Sequence, residues 1–328
     1  MPRATRRHAL AAAAAAVSLA RPALAQPWPS HPVRIIVPLV PGGTTDVIAR
    51  VIAEPLGRLL GQPVVVENRP GANGWIANEY VMRERTDGHT LIVNNVSTAG
   101  INSATAGPER ALVPSRDLAP ITNLVEAPQV FVAPADFPAA DLGGFVARAR
   151  AASKPLVFAS AGVGSYQHID LEALAKRAGI ALVHLPLRGA GEVVPTLLRG
   201  DAQITELALN STLPHIQAGR MKPLAAVGAS RQPQLPDTPT AAESGFPELT
   251  TTLWNGLFAP FGTPGEVIAV LHGHVTRILR EPELAASLER QALRVTPSAS
   301  PVDFGEYFAR DVARWTVLTR ELGITVTY

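Results

Sequence analysis

The amino-acid sequence predicts an α/β fold with two lobes, each a mostly parallel sheet flanked by helices. β-like and helix-like stretches alternate along the chain, which is typical of parallel sheets covered by helices. The alternation comes in two series, separated by two extended segments at 118–125 and 129–133. The chain has 328 residues, which is long for a single core and typical of two domains.

Residues 1–25 have the composition of a secretory signal peptide. Three arginines within the first seven residues precede an apolar run at 9–20, and the segment ends in Ala23-Leu24-Ala25. These are the basic region, the apolar region and the small-residue cleavage site of such a signal. The apolar run is too short to span a bilayer. We therefore expect an exported protein, by the Sec or the Tat route, that is cleaved after Ala25 and is not embedded in a membrane; a disordered basic tail is the alternative.

Composition excludes several classes of function. The sequence holds 29 Lys and Arg against 27 Asp and Glu, but four of the arginines lie in residues 1–25, which leaves a formal charge of −2 on the remaining chain. No basic run indicates a nucleic-acid partner. Cysteine is absent, which excludes disulfides, thiol catalysis and a lipoprotein anchor. The eight histidines are scattered without metal-ligand spacing, so neither a metal nor a cofactor is predicted.

The segment 34–50 predicts the first candidate site. Ile35-Ile36-Val37 has the composition of a buried strand, and the apolar residues of 47–52 recur at helical spacing. Between the strand and the helix lie the candidate ligand-binding residues Pro41, Gly42, Gly43, Thr44, Thr45 and Asp46. The first N–H groups of a helix have no intrahelical partner and the helix dipole favours negative charge there, so the segment is a candidate carboxylate or phosphate site. An ordinary turn, with Thr44 or Thr45 as the N-cap, is the alternative.

The next elements are a predicted strand at 64–66, a helix at 76–83 and a strand at 90–93. This last strand ends in small hydrogen-bonding side chains at 94–98, among which Ser97 and Thr98 are candidate ligand contacts. Ligands of open α/β sheets bind at the carboxyl ends of the strands. Plain loop chemistry or a helix cap would explain the same cluster.

The second series contains a second glycine-rich helix start. The sequence predicts helices at 142–151, 167–178 and 190–198, and strands at 156–158, 182–185, 203–207 and 224–227. The strand at 156–158 runs into the candidate ligand-binding residues Ser160, Gly162, Gly164, Ser165 and His168. Ser165 could cap the helix or donate its hydroxyl to an anion. His168 lies where the helix dipole disfavours its protonated form, and simple packing is the alternative for this side chain.

Two catalytic interpretations of this stretch have little support. The dinucleotide fingerprint fails because Gln167 stands where a Gly or Ala is required. No nucleophile elbow and no evident acidic partner support a Ser–His hydrolase.

A third candidate site contains Arg188 and Gly189. Arg188 could hold a carboxylate through two parallel hydrogen bonds, or it could be a surface charge. The rest of the chain predicts a long strand at 250–260 and helices at 267–279, 282–291 and 303–322, which would return to the first lobe.

Several stretches together carry a resemblance to a known family. They are VPLVPGGTTD at 37–46, VENRPGANG at 66–74, DGHTL at 87–91, SAGVGSYQH at 160–168, RGAG at 188–191, LPDTPTAAE at 235–243, WNGLFAPFGTP at 254–264 and RW at 314–315. In this order they resemble the tripartite tricarboxylate transporter receptors, also called Bug receptors. The resemblance implies a periplasmic solute-binding protein of the type II, Venus-flytrap architecture, without enzymatic activity.

The resemblance also implies where a ligand binds and which partners act with the protein. A small organic anion would lie between the loops at 41–46 and 160–168, often through ordered water, with Ser97 and Thr98 beside it. Membrane components of a tripartite tricarboxylate transporter would receive it. Family members usually carry acidic residues where this chain has Gln203 and Leu207, and an aromatic residue where it has Leu187. For this reason the resemblance identifies no particular ligand.

We therefore expect a binding protein that closes around a small organic carboxylate or a related polar metabolite and delivers it to a membrane transporter or sensor. The predicted lobes are 28–124 with 255–328, and 125–254. An exported hydrolase-like enzyme and a dinucleotide-binding protein on the same two-lobed frame are the alternatives.

Overall fold

The computed structural model describes residues 28–326, so the predicted signal peptide at 1–25 lies outside the described residues. The strands are β1 (Val33–Val37), β2 (Val64–Asn68), β3 (Thr90–Asn95), β4 (Leu118–Ala127), β5 (Gln129–Pro134), β6 (Leu156–Ser160), β7 (Leu182–Pro186), β8 (Thr205–Ala208), β9 (Met221–Val227), β10 (Leu253–Pro260) and β11 (Arg294–Val295). The helices are α1 (Thr44–Leu60), α2 (Trp75–Met82), α3 (Asn102–Thr105), α4 (Pro114–Asp117), α5 (Leu142–Ala151), α6 (Tyr166–Ala178), α7 (Ala190–Leu198), α8 (Leu209–Gln217), α9 (Gly265–Leu279), α10 (Pro282–Arg290) and α11 (Pro301–Leu322).

The first lobe is built on a six-stranded sheet with the strand order β11-β4-β10-β3-β1-β2. β1 is parallel to β2 and β3, as the alternation of strands and helices predicts. β10 lies antiparallel between β3 and β4 because it enters the sheet from the other lobe. Ile35, Ile36 and Val37 are fully buried, which is the environment that their continuous apolar run predicts.

The second lobe has a three-stranded sheet, ordered β8-β5-β9, and the parallel pair β6-β7. β5 is antiparallel to both of its neighbours. A bridge between Phe158 and Ile204 links the two sheets. Phe131, Phe145 and Phe158 fill the core of this lobe and are fully buried.

Two crossovers and one helix connect the lobes. The first crossover is Pro128, which separates β4 from β5, and the second is the segment that leads into β10. α11 packs Phe304, Phe308 and Trp315 into the first core, while Leu318 and Leu322 also touch the second core. The last helix is therefore shared by both lobes.

Most predicted elements are confirmed, with shifts at their ends. The structure adds α8, which the sequence interpretation missed because Pro214 interrupts its helical pattern. The long strand predicted at 250–260 begins only at Leu253, and the weak strand predicted at 203–207 begins at Thr205. Among the described residues, the helices are all too short or too polar to cross a membrane.

Candidate ligand-binding site

The loop after β1 presents free backbone donors. Gly42 has φ of 90°, a conformation that favours glycine, and Gly43 is the N-cap of α1 without a side-chain cap. Val47 N–H donates to the Gly43 carbonyl and starts the helical ladder. The N–H groups of Gly43, Thr44 and Thr45 therefore precede that ladder, and no described residue accepts a hydrogen bond from them. This arrangement supplies the free donors that the sequence predicts here, and anion binding by them stays a prediction.

Asp46 shapes the loop and does not face its free donors. Its carboxylate accepts hydrogen bonds from Gly42 N at 2.9 Å, from Arg50 Nε at 3.1 Å and from Asn68 Nδ2 at 2.9 Å. Burial opposes ionisation of this carboxyl, but the bonds from Arg50, Gly42 and Asn68 outweigh it and lower the pKa of Asp46. Its oxygens are thus engaged within the loop in this structure, and a direct ligand contact from Asp46 stays a prediction.

The hydroxyl groups around the loop are mostly engaged within the first lobe. Thr45 Oγ1 donates to Asn255 Oδ1 at 2.7 Å and accepts from Asn95 Nδ2 at 3.0 Å. Thr98 takes part in a reciprocal cap with Asn95 at the start of the π-helical turn 96–101. In this structure the Thr98 hydroxyl therefore acts as part of a helix cap, which is the alternative to a ligand contact.

In the second lobe, the predicted loop after β6 is held by its own side chains. Ser165 Oγ donates to the Gly162 carbonyl at 2.7 Å and accepts from His168 N at 3.4 Å, so it is the N-cap of α6. Gly164 N–H donates to His168 Nδ1 at 3.3 Å. Ser160 is fully buried, and its Oγ lies 2.6 Å from His184 Nε2. These side chains build the loop, and most of its donors already have acceptors.

The rings of Phe158, His184 and His168 form a stack beside this loop. The His168 and His184 ring centroids are 4.2 Å apart with nearly parallel planes, and His184 also stacks on Phe158 at 4.7 Å. Burial lowers the pKa of His168. Burial, followed by the nearby His168 ring, lowers the pKa of His184 to about 4. Both imidazoles are therefore neutral at neutral pH.

The third candidate segment supplies free donors opposite the first. Gly189 has φ of 153°, and a Cβ added there would lie 3.8 Å from Val40 of the first-lobe loop. No described residue accepts a hydrogen bond from the N–H groups of Gly189 or Ala190, the N-cap and first residue of α7. The Arg188 side chain is exposed, while its N–H donates to Glu192 Oε2 at 3.2 Å.

The two lobes touch across the cleft between these loops. Tyr166 N–H, at the start of α6, donates to Ser97 Oγ at 3.1 Å. Asn73 Nδ2 donates to the Gly164 carbonyl at 3.1 Å, and Asn210 Nδ2 donates to Thr44 Oγ1 at 3.1 Å. The structure therefore shows the closed arrangement of the lobes.

A model of the tripartite tricarboxylate transporter family receptor matches residues 48–324 of this chain. The chain belongs to this receptor family. Family members are periplasmic solute-binding receptors and not enzymes, which confirms the resemblance that the sequence motifs carry.

Relatives support the same assignment along almost the whole chain. Protein BugT of Bordetella pertussis is 32% identical over 313 residues, which cover 94% of each chain. The MatC structure from Rhodopseudomonas palustris with bound malate has a TM-score of 0.82 and 31% identity, over 89% of this chain and 99% of that one. The R. palustris protein Rpa4515 with adipate has a TM-score of 0.83 and 29% identity, over 91% and 99%.

Sequence reasoning missed the asparagines that line the receptor's cleft. Asn73 and Asn210 make contacts between the lobes, and Asn95 and Asn255 hold Thr45. Asn73 lies in a stretch that carries the family resemblance and has φ of 47°, an unusual value that asparagine tolerates better than most residues. Asn210 lies two residues after the end of β8, so its place near a strand end was the available signal.

One titratable cluster lies away from the cleft, at the opposite end of the first sheet. His31, Asp87 and His89 border a cavity of about 390 Å³ there. Ser30 N–H donates to His89 Nε2 at 3.2 Å, which leaves Nδ1 as the protonated nitrogen, 3.1 Å from Asp87 Oδ1. The His31 ring stacks on His89 at 3.7 Å. Each nitrogen of His89 thus lies beside one polar atom, Nε2 beside Ser30 N and Nδ1 beside Asp87 Oδ1.

Proposed function

We propose that this receptor captures a small organic carboxylate between the start of α1 and the start of α7. The observation that carries this proposal is the pair of helix N-termini with free N–H groups, at Gly43 to Thr45 and at Gly189 and Ala190. Val40 and Gly189 approach each other across the cleft, so one ligand can reach both helices. Structural relatives that hold malate and adipate support a carboxylate as the ligand class.

The chemistry of the site suits an anion without a buried counter-cation. Partial positive charge from two helix dipoles and their free N–H groups stabilises a carboxylate. Arg188 is exposed at the rim, where its guanidinium can pair with a second carboxylate. Ser160, Gly162, Gly164, Ser165 and His168 then support the second-lobe side of the site, and Pro41 and Gly42 shape the first. Direct ligand contacts from Ser97, Ser165 or His168 stay predictions.

Ligand binding is coupled to lobe closure in this proposal. A ligand favours closure only if it binds the closed form better than the open form. Contacts from helices of both lobes satisfy that requirement, because opening removes one set of donors. The lobes at 28–124 with 255–328 and at 125–254 are the moving bodies that we propose.

The cellular setting follows from the sequence and the family. We propose that the chain is exported, is cleaved after Ala25 and acts in the periplasm. It would then pass its ligand to membrane components of a tripartite tricarboxylate transporter, or to a sensor. Mass spectrometry of the exported protein tests the cleavage site.

The test of the binding site removes single N–H donors. Gly43 has φ of −80°, which proline tolerates, so Gly43→Pro deletes a donor without changing the backbone. Gly43→Ala is the matched control, because an added Cβ there meets no atom within 4 Å. Ala190→Pro deletes the donor at the first helical position of α7, where proline is well tolerated, and Ala190→Ser is its control.

Calorimetry with malate and adipate measures the outcome. We expect each proline variant to weaken binding by about 1–3 kcal/mol, the cost of losing a hydrogen bond to a charged group. The two control variants should bind as the wild type does. Unchanged affinity in a folded Gly43→Pro variant would remove the first helix start from the site, and unchanged affinity in Ala190→Pro would remove the second.

A further inference from the structure

Two buried carboxyl groups lie directly behind the contact between the lobes. Asp170 is on the second turn of α6 and is 2% exposed, and Glu206 is on β8 and is fully buried. Tyr166, one turn before Asp170, donates its N–H to Ser97 of the first lobe. Tyr166 and Ile169 pack into the core of the first lobe, although α6 otherwise belongs to the second. The acid pair thus lies directly beneath a contact between the two lobes.

The two carboxyl groups face each other, and three of their four oxygens lack a hydrogen-bond donor among the described residues. Asp170 and Glu206 are within hydrogen-bonding reach of each other. Asp170 Oδ2 and both oxygens of Glu206 have no hydrogen-bond donor among the described residues. Two carboxylates that lack donors cannot both stay ionised out of contact with water. A single proton between them gives each group a partner.

The groups that face the pair from other elements do not neutralise it. Arg314 on α11 is the nearest cation, but its guanidinium is shared with Thr251 at 3.4 Å and with Asp311 at 3.8 Å. Asp311 is itself an acid, and it accepts a hydrogen bond from Trp254 Nε1 at 2.9 Å. The Thr251 hydroxyl lies within reach of Asp170. The buried phenol of Tyr166, on α6, also lies near both carboxyl groups. Three carboxyl groups therefore surround one arginine.

We propose that Asp170 and Glu206 hold one shared proton while the lobes are closed and release it when the lobes open, so that ligand retention is coupled to proton uptake. The coupling rests on the closure mechanism of the proposed function. Burial raises the pKa of Glu206 well above its ordinary value and raises that of Asp170. Opening admits water beneath Tyr166, and hydration favours ionisation of both carboxyl groups.

The sign of the effect follows from proton linkage. The closed form binds more protons than the open form, so raising the pH favours the open form. Ligand affinity then falls with rising pH, by at most about tenfold per pH unit for one linked proton. Two variants separate the charge of the pair from its titration. Glu206→Gln and Asp170→Asn each keep the single negative charge of the singly protonated pair, and each removes the shared proton's ionisation.

The first experiment detects the proton directly and needs no ligand. Infrared spectra of the mature protein near neutral pH should contain the C=O stretch of a protonated carboxylic acid, and this band should disappear in Glu206→Gln and in Asp170→Asn. Glu172→Gln is the matched control, since Glu172 lies on the same helix but is partly exposed. Absence of the band in the wild type, or its persistence in both folded variants, overturns the shared proton.

The second experiment measures the coupling. Small-angle scattering without ligand should show the wild type and Glu172→Gln becoming more extended as the pH rises, while Glu206→Gln and Asp170→Asn stay compact. The Kd for malate and adipate, above their own pKa values, should rise with pH in the wild type and stay constant in both variants. An identical pH response in the wild type and in the two variants overturns the coupling. Failure of both acids to bind the wild type counts against the proposed function alone, because the infrared and scattering results do not depend on it.

Discussion

Individual histidines make the second-lobe loop sensitive to acid. His184 is half-buried, stacks on His168 and contacts Ser160, and the pKa of about 4 for its ring lies below the ordinary value of 6.5. Protonation would place a charge on a half-buried ring that stacks on a second imidazole. The predicted ligand loop is therefore supported by imidazoles that the fold keeps uncharged.

Stability should fall on acidification between pH 6.5 and about 4. In that range the unfolded chain takes up a proton at His184 and the folded chain does not, so the free energy of unfolding decreases as the pH falls. After allowance for solvent screening at a half-buried ring, we expect a loss of about 1–2 kcal/mol. Urea denaturation at several pH values measures it. His184→Gln should flatten this part of the profile and His274→Gln, on α9, should not; a profile unchanged by His184→Gln contradicts the prediction.

Residue identity predicted the glycine loops but not the asparagine contacts. The run from Pro41 to Asp46 indicates a helix start because its residue types act locally, through φ angles and N–H groups. Asn73 and Asn210 acquire their role only when two lobes distant in sequence meet. The sequence did not predict the partners of Asp46 and Thr45, which are Arg50, Asn68 and Asn255, because tertiary packing brings them together. Local patterns therefore predicted the helix starts but not the contacts of each side chain.

At the scale of elements, the packing of β10 against α11 holds the first lobe together. Trp254 and Phe258 of β10 meet Phe304 and Phe308 of α11 with ring centroids 5.1–6.0 Å apart. The sequence predicted both elements, because their apolar patterns are long. It did not predict that β10 runs antiparallel between two strands of the first sheet, since strand direction follows from the crossover and not from residue pattern.

Two glycine substitutions should have opposite effects on stability. A Cβ at Gly256 of β10 would overlap the Phe304 ring, so Gly256→Ala should lower the free energy of unfolding by about 1–3 kcal/mol, the cost of overpacking a core. Gly273 lies within α9, and a Cβ there meets no atom within 4 Å. Gly273→Ala should therefore raise stability by about 0.5–1 kcal/mol through helix propensity. Thermal and urea denaturation measure both, and equal effects of the same sign would contradict this account of β10.

At the scale of the whole molecule, polar bridges add to the apolar contact that Tyr166 and Ile169 make with the first lobe. Ser97, Asn73 and Asn210 each bridge the cleft. Removing one bridge leaves the others, so a single substitution is expected to have a small effect. Lobe closure was predicted from the family resemblance, whereas these bridges required the structure.

Combined loss of two bridges should open the receptor. We expect Ser97→Ala with Asn210→Ala to increase the radius of gyration without ligand and to weaken the binding of malate or adipate, because closure then costs more of the binding free energy. Small-angle scattering and calorimetry measure the two effects. Ser211→Ala, next to Asn210 on α8, should leave both values unchanged. A double variant as compact as the wild type would show that other contacts hold the lobes together.

The path of the chain through its lobes also fixes an order of folding. The strands of the second lobe lie together between Gln129 and Val227, and Ala241 and Leu249 complete its core. Most of this lobe can therefore form once the chain has been synthesised as far as Leu249. The first lobe lacks its central strand until Pro260 has emerged, and it lacks the aromatic face of α11 until nearly the last residue. Because domains fold as units while the chain is still appearing, the inserted lobe should be native before its host. At that stage the chain would hold a folded second lobe between two unpaired segments of the first lobe. This is the stage at which binding by a chaperone would protect the chain most.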